Sequence, residues 1–295
     1  MGIFNRDETP GSGGGISGRI IVAVLIALFG LFTYFTHTQE NPVTHEKQHI
    51  SLTPNEEIRL GLESAPSMVA EMGGEVSVND PRAQEVSKIG EFIVSKTEAV
   101  TSPWKFKFHL LADKNTINAF ALPGGQVFIT LGLLNKLQTE AQLAGVLSHE
   151  MGHVIERHSA QQMAKSRLGE LLVVGVGIGA SGDQQSSNLY NPMVIASVVN
   201  QMIQLRYSRH DESQADLWGL KLMEEVGFDP RAMIEVMNIL KASGGAGHKI
   251  ELFETHPNPD LRIQQINAYL EQHPPGISSL KEGKNLKDIF KEIEE

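Results

Sequence analysis

His149-Glu150-Met151-Gly152-His153 sets two imidazoles four residues apart, with a carboxylate next to the first. On a helix, at about 100° per residue, His153 falls about 40° round from His149 and one turn later, so both rings point to one side. Glu150 lies about 100° from His149 and about 60° from His153. It shares their side but is displaced, so it reaches a water held by a metal rather than the metal itself. Two neutral imidazoles suit zinc, which in a catalytic site takes a third protein ligand and keeps one position open for water. The metal lowers the pKa of that water to roughly 7, and a neighbouring carboxylate can then take its proton. Five such residues also recur by chance in unrelated chains, so the third ligand carries the argument.

An H-E-x-x-H-x-x-G-x-x-H extension needs Gly at 156 and His at 159, and the chain has Glu156 and Ser159. His158 is one residue off that spacing and is expected to face elsewhere. Glu170 follows His153 by 17 residues, but Val174 stands four later, where an Asp would support a ligand. Glu212 follows His153 by 59 residues, within Asp211-Glu212-Ser213-Gln214-Ala215-Asp216. Glu212 and Asp216 are four apart and share a helix face. Glu212 can bind the metal while Asp216 accepts the ring N–H of a ligand histidine and fixes its tautomer. A solvated acidic face is the plain alternative for that pair taken alone.

These residues need two helices held closely together. Thr139-Glu140-Ala141-Gln142 reads as a capping box, and Leu143, Val146 and Leu147 form the buried stripe of the helix that carries His149. Ser148, Gly152 and Ala215 are small and leave room for a close partner. Further helices are expected from Thr53-Pro54, from Asp80-Pro81 with the stripe Val86, Ile89, Ile93, and over 209–226, 230–241 and 259–272. Lys105 to Leu110 alternates with period two, and Gln126 to Thr130 follows Pro123-Gly124-Gly125; both read as strands.

The segments NAFALPGGQVFIT (118–130), LSHEMGHVIERHS (147–159), YSRHDESQADLWGL (207–220) and THPNPDLRI (255–263) resemble, in order and spacing, the zinc metallopeptidases that include HtpX, the CAAX prenyl protease and the mitochondrial Oma-type proteases. The resemblance covers roughly residues 55–272. It implies an α+β, mainly helical, gluzincin-like metallopeptidase domain with a small β-sheet beside the active-site helix. It implies one Zn²⁺ per chain held by His149, His153 and Glu212, with Glu150 as general base and Asp216 behind a ligand. Asn118, Ala119, Phe120 and Ala121 resemble the edge strand beside the cleft, where an extended substrate adds by main-chain hydrogen bonds. His256, in Thr255-His256-Pro257, is expected in a loop near the chemistry, as a catalytic group or as one that blocks the zinc. Arg262 could orient an acidic partner, with a surface ion pair as the plainer expectation. HtpX carries several membrane segments and this chain one strong N-terminal one, which places it nearer the periplasmic, single-anchor or secreted branch.

That segment is Ile20 to Phe35, 16 residues without a charge, after Arg19 and a Gly-rich stretch. No A-x-A cleavage site follows, so an uncleaved anchor fits better than a signal peptide. Arg6 and Arg19 ahead of it favour a catalytic domain outside the cytoplasm. The expected organisation is a flexible segment at 1–19, an anchor at 20–36, a linker at 37–52, the metallopeptidase domain at 53–272 and a charged tail at 273–295. The apolar stretch 168–180 is expected to pack inside the domain, with a membrane-dipping hairpin as the alternative. The polar run 181–192 after it suits a lid that, with His256, keeps the site latent.

There are 25 basic against 35 acidic side chains, a net charge of −10, which argues against nucleic acid as a partner. The absence of cysteine excludes a thiol nucleophile and a Cys-containing zinc site. The expectation is a zinc-dependent endopeptidase acting on unfolded or misassembled envelope proteins. A chaperone or assembly factor with a latent metalloprotease site is the alternative.

Overall fold

A computed structural model of the protein describes residues 15–176, 192–203, 205–243, 249–274 and 280–291. Residues 177–191, which hold all but the last residue of the proposed lid at 181–192 and the end of the 168–180 stretch, lie outside the described residues. The chain runs α1 (Gly15–Thr36), β1 (Gln39–Glu40), β2 (Lys47–Gln48), α2 (Pro54–Glu71), α3 (Pro81–Lys96), β3 (Lys107–Leu111), β4 (Thr116–Ile117), β5 (Ala119–Leu122), β6 (Gln126–Thr130) and α4 (Leu131–Leu134). It continues through α5 (Glu140–Ile155), α6 (His158–Val176), α7 (Pro192–Ile203), α8 (Arg209–Glu225), α9 (Ala232–Ser243), β7 (Lys249–Ile250), α10 (Leu252–Thr255), α11 (Pro259–Gln272) and α12 (Leu286–Lys291). The fold is mainly helical, with a small mixed sheet ordered β3-β6-β5, in which β3 runs parallel and β5 antiparallel to β6.

The helix starts follow the local chemistry. Thr53 caps α2 through a reciprocal box with Glu56, and Asp80 caps α3. Ser208 and Asp211 form the same box at α8. Thr139 accepts from the Gln142 N–H, but the box expected there is half made. The Gln142 side chain accepts instead from the Gln138 N–H at 2.7 Å and donates to Glu235 at 2.8 Å. A tertiary partner on α9 has won over the local one. Val86, Ile89 and Ile93 are buried as their spacing requires.

α5 is buried along its whole length from Ala141 to Ile155. The sheet, α3, α8 and α9 surround it. Its approach to α8 is set by Gly152, where an added Cβ would lie 2.8 Å from the Ala215 carbonyl oxygen and 2.9 Å from Trp218 Cβ. Any side chain there would push the helices apart.

Residues 37–52, read as a linker, are held against the domain. Asn41, Gln48 and Ile50 are buried, and β1 pairs with β2. Asn41 donates to the Ile155 carbonyl at 2.8 Å and Gln48 to the Glu156 carbonyl at 2.9 Å, satisfying acceptors that the end of α5 leaves free. Arg157 then takes the left-handed φ of 60°. Its guanidinium donates to Glu57 at 2.5 and 2.8 Å and to the Leu52 carbonyl at 2.7 Å. That turn sends the chain from α5 directly into α6. The charged tail also docks: Leu286 is fully buried and the Lys284 N–H donates to Glu140 at the start of α5.

α1 packs along α6, and its C-terminal end is held by His49, which stacks on Tyr34. Its outer face leaves Ile21, Leu25, Leu28, Phe29, Phe32 and Phe35 more than half exposed. Among the described residues, no helix is long and apolar enough to cross a membrane by itself.

Candidate active site

His149, Glu150 and His153 project from α5, Glu212 and Asp216 from α8, Arg262 from α11, and His256 from the turn between α10 and α11. All seven are buried. Each of His149, His153, Glu212 and His256 offers one ligand atom, and the four atoms lie within 4.8 Å of one another. His149 Nε2 is 3.1 Å from His153 Nε2 and 3.6 Å from Glu212 Oε2. His153 Nε2 is 3.6 Å from Glu212 Oε1. Two imidazole nitrogens and a carboxylate facing a common point form the donor set that zinc prefers.

Charge supports the same fit. Three buried carboxylates, Glu150, Glu212 and Asp216, meet one buried guanidinium, Arg262. With the histidines neutral this leaves two uncompensated negative charges in a low-dielectric interior, which a divalent cation would balance. Glu150 Oε2 and His256 Nε2 are buried with no hydrogen-bond partner. Buried polar atoms rarely stay unpaired, so these two mark where a further group would be bound.

The electrostatics sort the carboxylates by role. Burial raises the Glu150 carboxyl above the usual range, against the pull of His256 and His149. A carboxyl group raised in this way is a stronger base for the proton of a neighbouring water. Burial would also raise Glu212 and Asp216. For Glu212 His256 and Arg262 override it, and for Asp216 Arg262 and His149 do, holding both below the ordinary value. Glu212 therefore stays an anionic donor, and Asp216 stays an acceptor for His149 Nδ1, 3.0 Å away.

Arg262 departs from its expected surface pair. It is buried, with Nη1 2.8 Å from Glu212 Oε2 and Nη2 2.6 Å from Asp216 Oδ1. The alternative, that it orients an acidic partner, could not be preferred from its position one helical turn into α11, because the contact depends on how α11 crosses α8. His256 Nδ1 lies 2.9 Å from Glu212 Oε1 and 3.3 Å from His149 Nε2, so it stands inside the ligand cluster. Glu170 falls on α6, and its side chain is outside the described residues.

Sequence reasoning missed two groups behind His153. Tyr207 stacks on its ring with centroids 3.8 Å apart, its hydroxyl 3.2 Å from Ser159 Oγ. His158 Nδ1 lies 2.9 Å from His153 Nδ1. Both residues sat within the segments that carried the resemblance; His158, expected from its spacing to face elsewhere, instead meets the ring of His153 because the chain turns at Arg157.

The strand expected to receive substrate is β5, at the end of the β3-β6-β5 order, and its Ala119 and Ala121 are buried. Asn118 is buried and donates to Glu251 at 3.2 Å. Phe120 is half-buried and stacks on Phe128. Asn118 and Phe120 line a small pocket with Met68, Met72 and Met202. A second, more apolar pocket opens beside Glu150, between Val146, Met233, Val236 and Leu252.

Comparison with known proteins adds the ancestry. Residues 80–270 match the model described as peptidase family M48. The chain is 30% identical over 254 residues to the mitochondrial metalloendopeptidase OMA1 of Schizosaccharomyces pombe, covering 85% of this chain and 72% of that protein. It is also 30% identical over 207 residues to the beta-barrel assembly-enhancing protease of Escherichia coli, covering 68% of this chain but 41% of that longer protein.

Proposed function

We infer, from the premise that the chain belongs to peptidase family M48 and is a zinc metalloendopeptidase, that it hydrolyses peptide bonds of unfolded or misassembled envelope proteins with Glu150 as general base. The observation that carries the mechanism is the convergence of His149, His153 and Glu212 beside a Glu150 oxygen that has no partner. Zinc held by those three side chains would polarise the scissile carbonyl and acidify a water. Glu150 takes the proton of the attacking water at Oε2 and delivers it to the leaving amine. Asp216 accepts from His149 Nδ1–H, which keeps the Nε2 lone pair free, and Arg262 balances the two α8 carboxylates.

His256 stands 2.9 Å from Glu212 within the ligand cluster, and the five residues nearest the chemistry are at most 6% exposed, which supports a latent resting state. The same closure favours the second reading, an assembly factor that works chiefly by binding chains. The envelope setting is supported by the names of the relatives, one mitochondrial and one concerned with β-barrel assembly. It is supported also by the exposed apolar face of α1, which suits a membrane anchor.

Purified protein given casein, with digestion followed by mass spectrometry, tests the reading. Cleavage should stop with a chelator, and Glu150→Gln should lose activity by about 10²–10⁴-fold while keeping its zinc. A Glu150→Gln protein that cleaves as fast as the parent would remove the general base. One that cannot cleave yet restores function in cells would favour the binding role.

A further inference from the structure

We propose that His158 and Gln214 are positioning residues for His153, forming an uncharged two-link hydrogen-bond chain that keeps the His153 Nε2 lone pair aimed at the zinc position. The proposal rests on the zinc reading of the site. Its parts are five atoms in series. His153 Nε2 faces His149 Nε2 at 3.1 Å and Glu212 Oε1 at 3.6 Å. His153 Nδ1 is 2.9 Å from His158 Nδ1, and His158 Nε2 is 3.2 Å from Gln214 Oε1.

Hydrogen bookkeeping allows one arrangement of neutral rings here. A neutral imidazole has one N–H and one lone pair. If His153 Nε2 offers its lone pair to a metal, its proton is on Nδ1. His158 Nδ1 must then accept, which puts the His158 proton on Nε2, pointing at Gln214. The Gln214 oxygen, which can only accept, ends the series. Asp211 Oδ1 also faces His158 Nε2 but at 3.9 Å, beyond hydrogen-bond reach, so replacing the Gln214 amide by an apolar group removes the one hydrogen bond that fixes this tautomer.

The backbone explains how His158 arrives there. A histidine five residues after His153 would lie well round a continuing helix. The left-handed turn at Arg157, held by Glu57 and the Leu52 carbonyl, ends α5 and starts α6 at once. His158 is thereby folded back behind His153, with 2% exposure. Gln214 sits on α8 between Glu212 and Asp216, so one helix supplies a ligand and the outer partners of both histidines.

The two histidines are therefore held differently, and charge gives the reason. His149 leans on a carboxylate, Asp216, that Arg262 offsets. Among the described residues no second arginine stands behind His153, whose far side meets His158 and the Tyr207 ring. A carboxylate at position 158 would leave the buried cluster one negative charge over, which a neutral imidazole and amide avoid.

The test is zinc affinity, measured by competition with a chromophoric chelator on the full chain. His158→Leu and Gln214→Leu should each weaken zinc binding by about 10–100-fold. His158→Asn, whose side-chain oxygen stands one bond from Cγ as Nδ1 does, should recover most of the loss. The thermal midpoints of the metal-stripped proteins should stay together, which a merely structural role would not give. Wild-type affinity in both leucine variants, or an Asn variant as weak as Leu, overturns the chain while leaving the zinc site intact. A parent protein that binds no zinc overturns the site reading and this proposal together. If His158→Leu does not fold, Gln214→Leu, at a half-buried surface position, decides alone.

Discussion

Arg262 grips Asp216 through two parallel contacts, Nε to Oδ2 at 2.8 Å and Nη2 to Oδ1 at 2.6 Å, on the buried floor of the site. The pair links α11 to the helix that carries Glu212. Its value is that of a buried, bidentate ion pair, in which removing one partner strands the other. Arg262→Ala should destabilise the protein by about 3–5 kcal/mol. Arg262→Lys should recover only part, since an ammonium cannot make both bonds. Urea melts of the metal-free proteins check this; wild-type stability in Arg262→Ala would show the pair to be dispensable.

Metal content separates the ligand assignments. The purified protein should hold about one zinc per chain. Ala at His149, His153 or Glu212 should lower that content in elemental analysis, and Ala at Glu170 should not. A Glu212→Ala protein with full metal and activity, beside a Glu170→Ala protein with neither, would reverse the choice of third ligand.

Gly152→Ala tests the helix approach. The added Cβ meets the Ala215 carbonyl, a backbone atom that cannot rotate away. The cost should be about 1–3 kcal/mol, as for an overpacked core. Zinc binding should loosen too, because α8 moves with Glu212. Gly169→Ala is the control, with nothing within 4 Å of its added Cβ. It should be neutral or slightly stabilising in thermal melts. Equal behaviour of the two variants would remove the close approach as the reason for glycine.

His256→Ala should speed casein cleavage, because the side chain that stands 2.9 Å from Glu212 leaves the cluster. Initial rates at equal zinc occupancy make the comparison. Lost activity would make His256 catalytic rather than inhibitory.

Residues 20–35 should hold the chain in the membrane fraction through a salt wash, with the catalytic domain open to protease in spheroplasts of a bacterial host. A mature N-terminus near residue 40 would mean that the segment is cleaved, and a fully protected domain would reverse the orientation.

Much of this arrangement could be read from local pattern. The His149–His153 pair shares a face because a helix turns at a fixed angle, and the Glu212–Asp216 pair for the same reason. The caps at Thr53, Asp80 and Ser208 depend on groups within three residues of each other. The half-made box at Thr139 marks where that logic stopped. Gln142 found Glu235, 93 residues away, and no local rule could weigh that contact.

By itself the amino-acid sequence determined α2, α3, α5, α8, α9 and α11 and the two ligand-bearing motifs, since each is a matter of pattern within one element. Only the tertiary structure decided that Arg262 is buried against Asp216, that His158 turns back onto His153, and that residues 37–52 close the end of α5. Each of these joins groups whose meeting depends on the crossing of two elements or on a left-handed residue that is not glycine. Burial then sets their charge and hydrogen-bonding roles, and burial belongs to the packed molecule rather than to any stretch of chain.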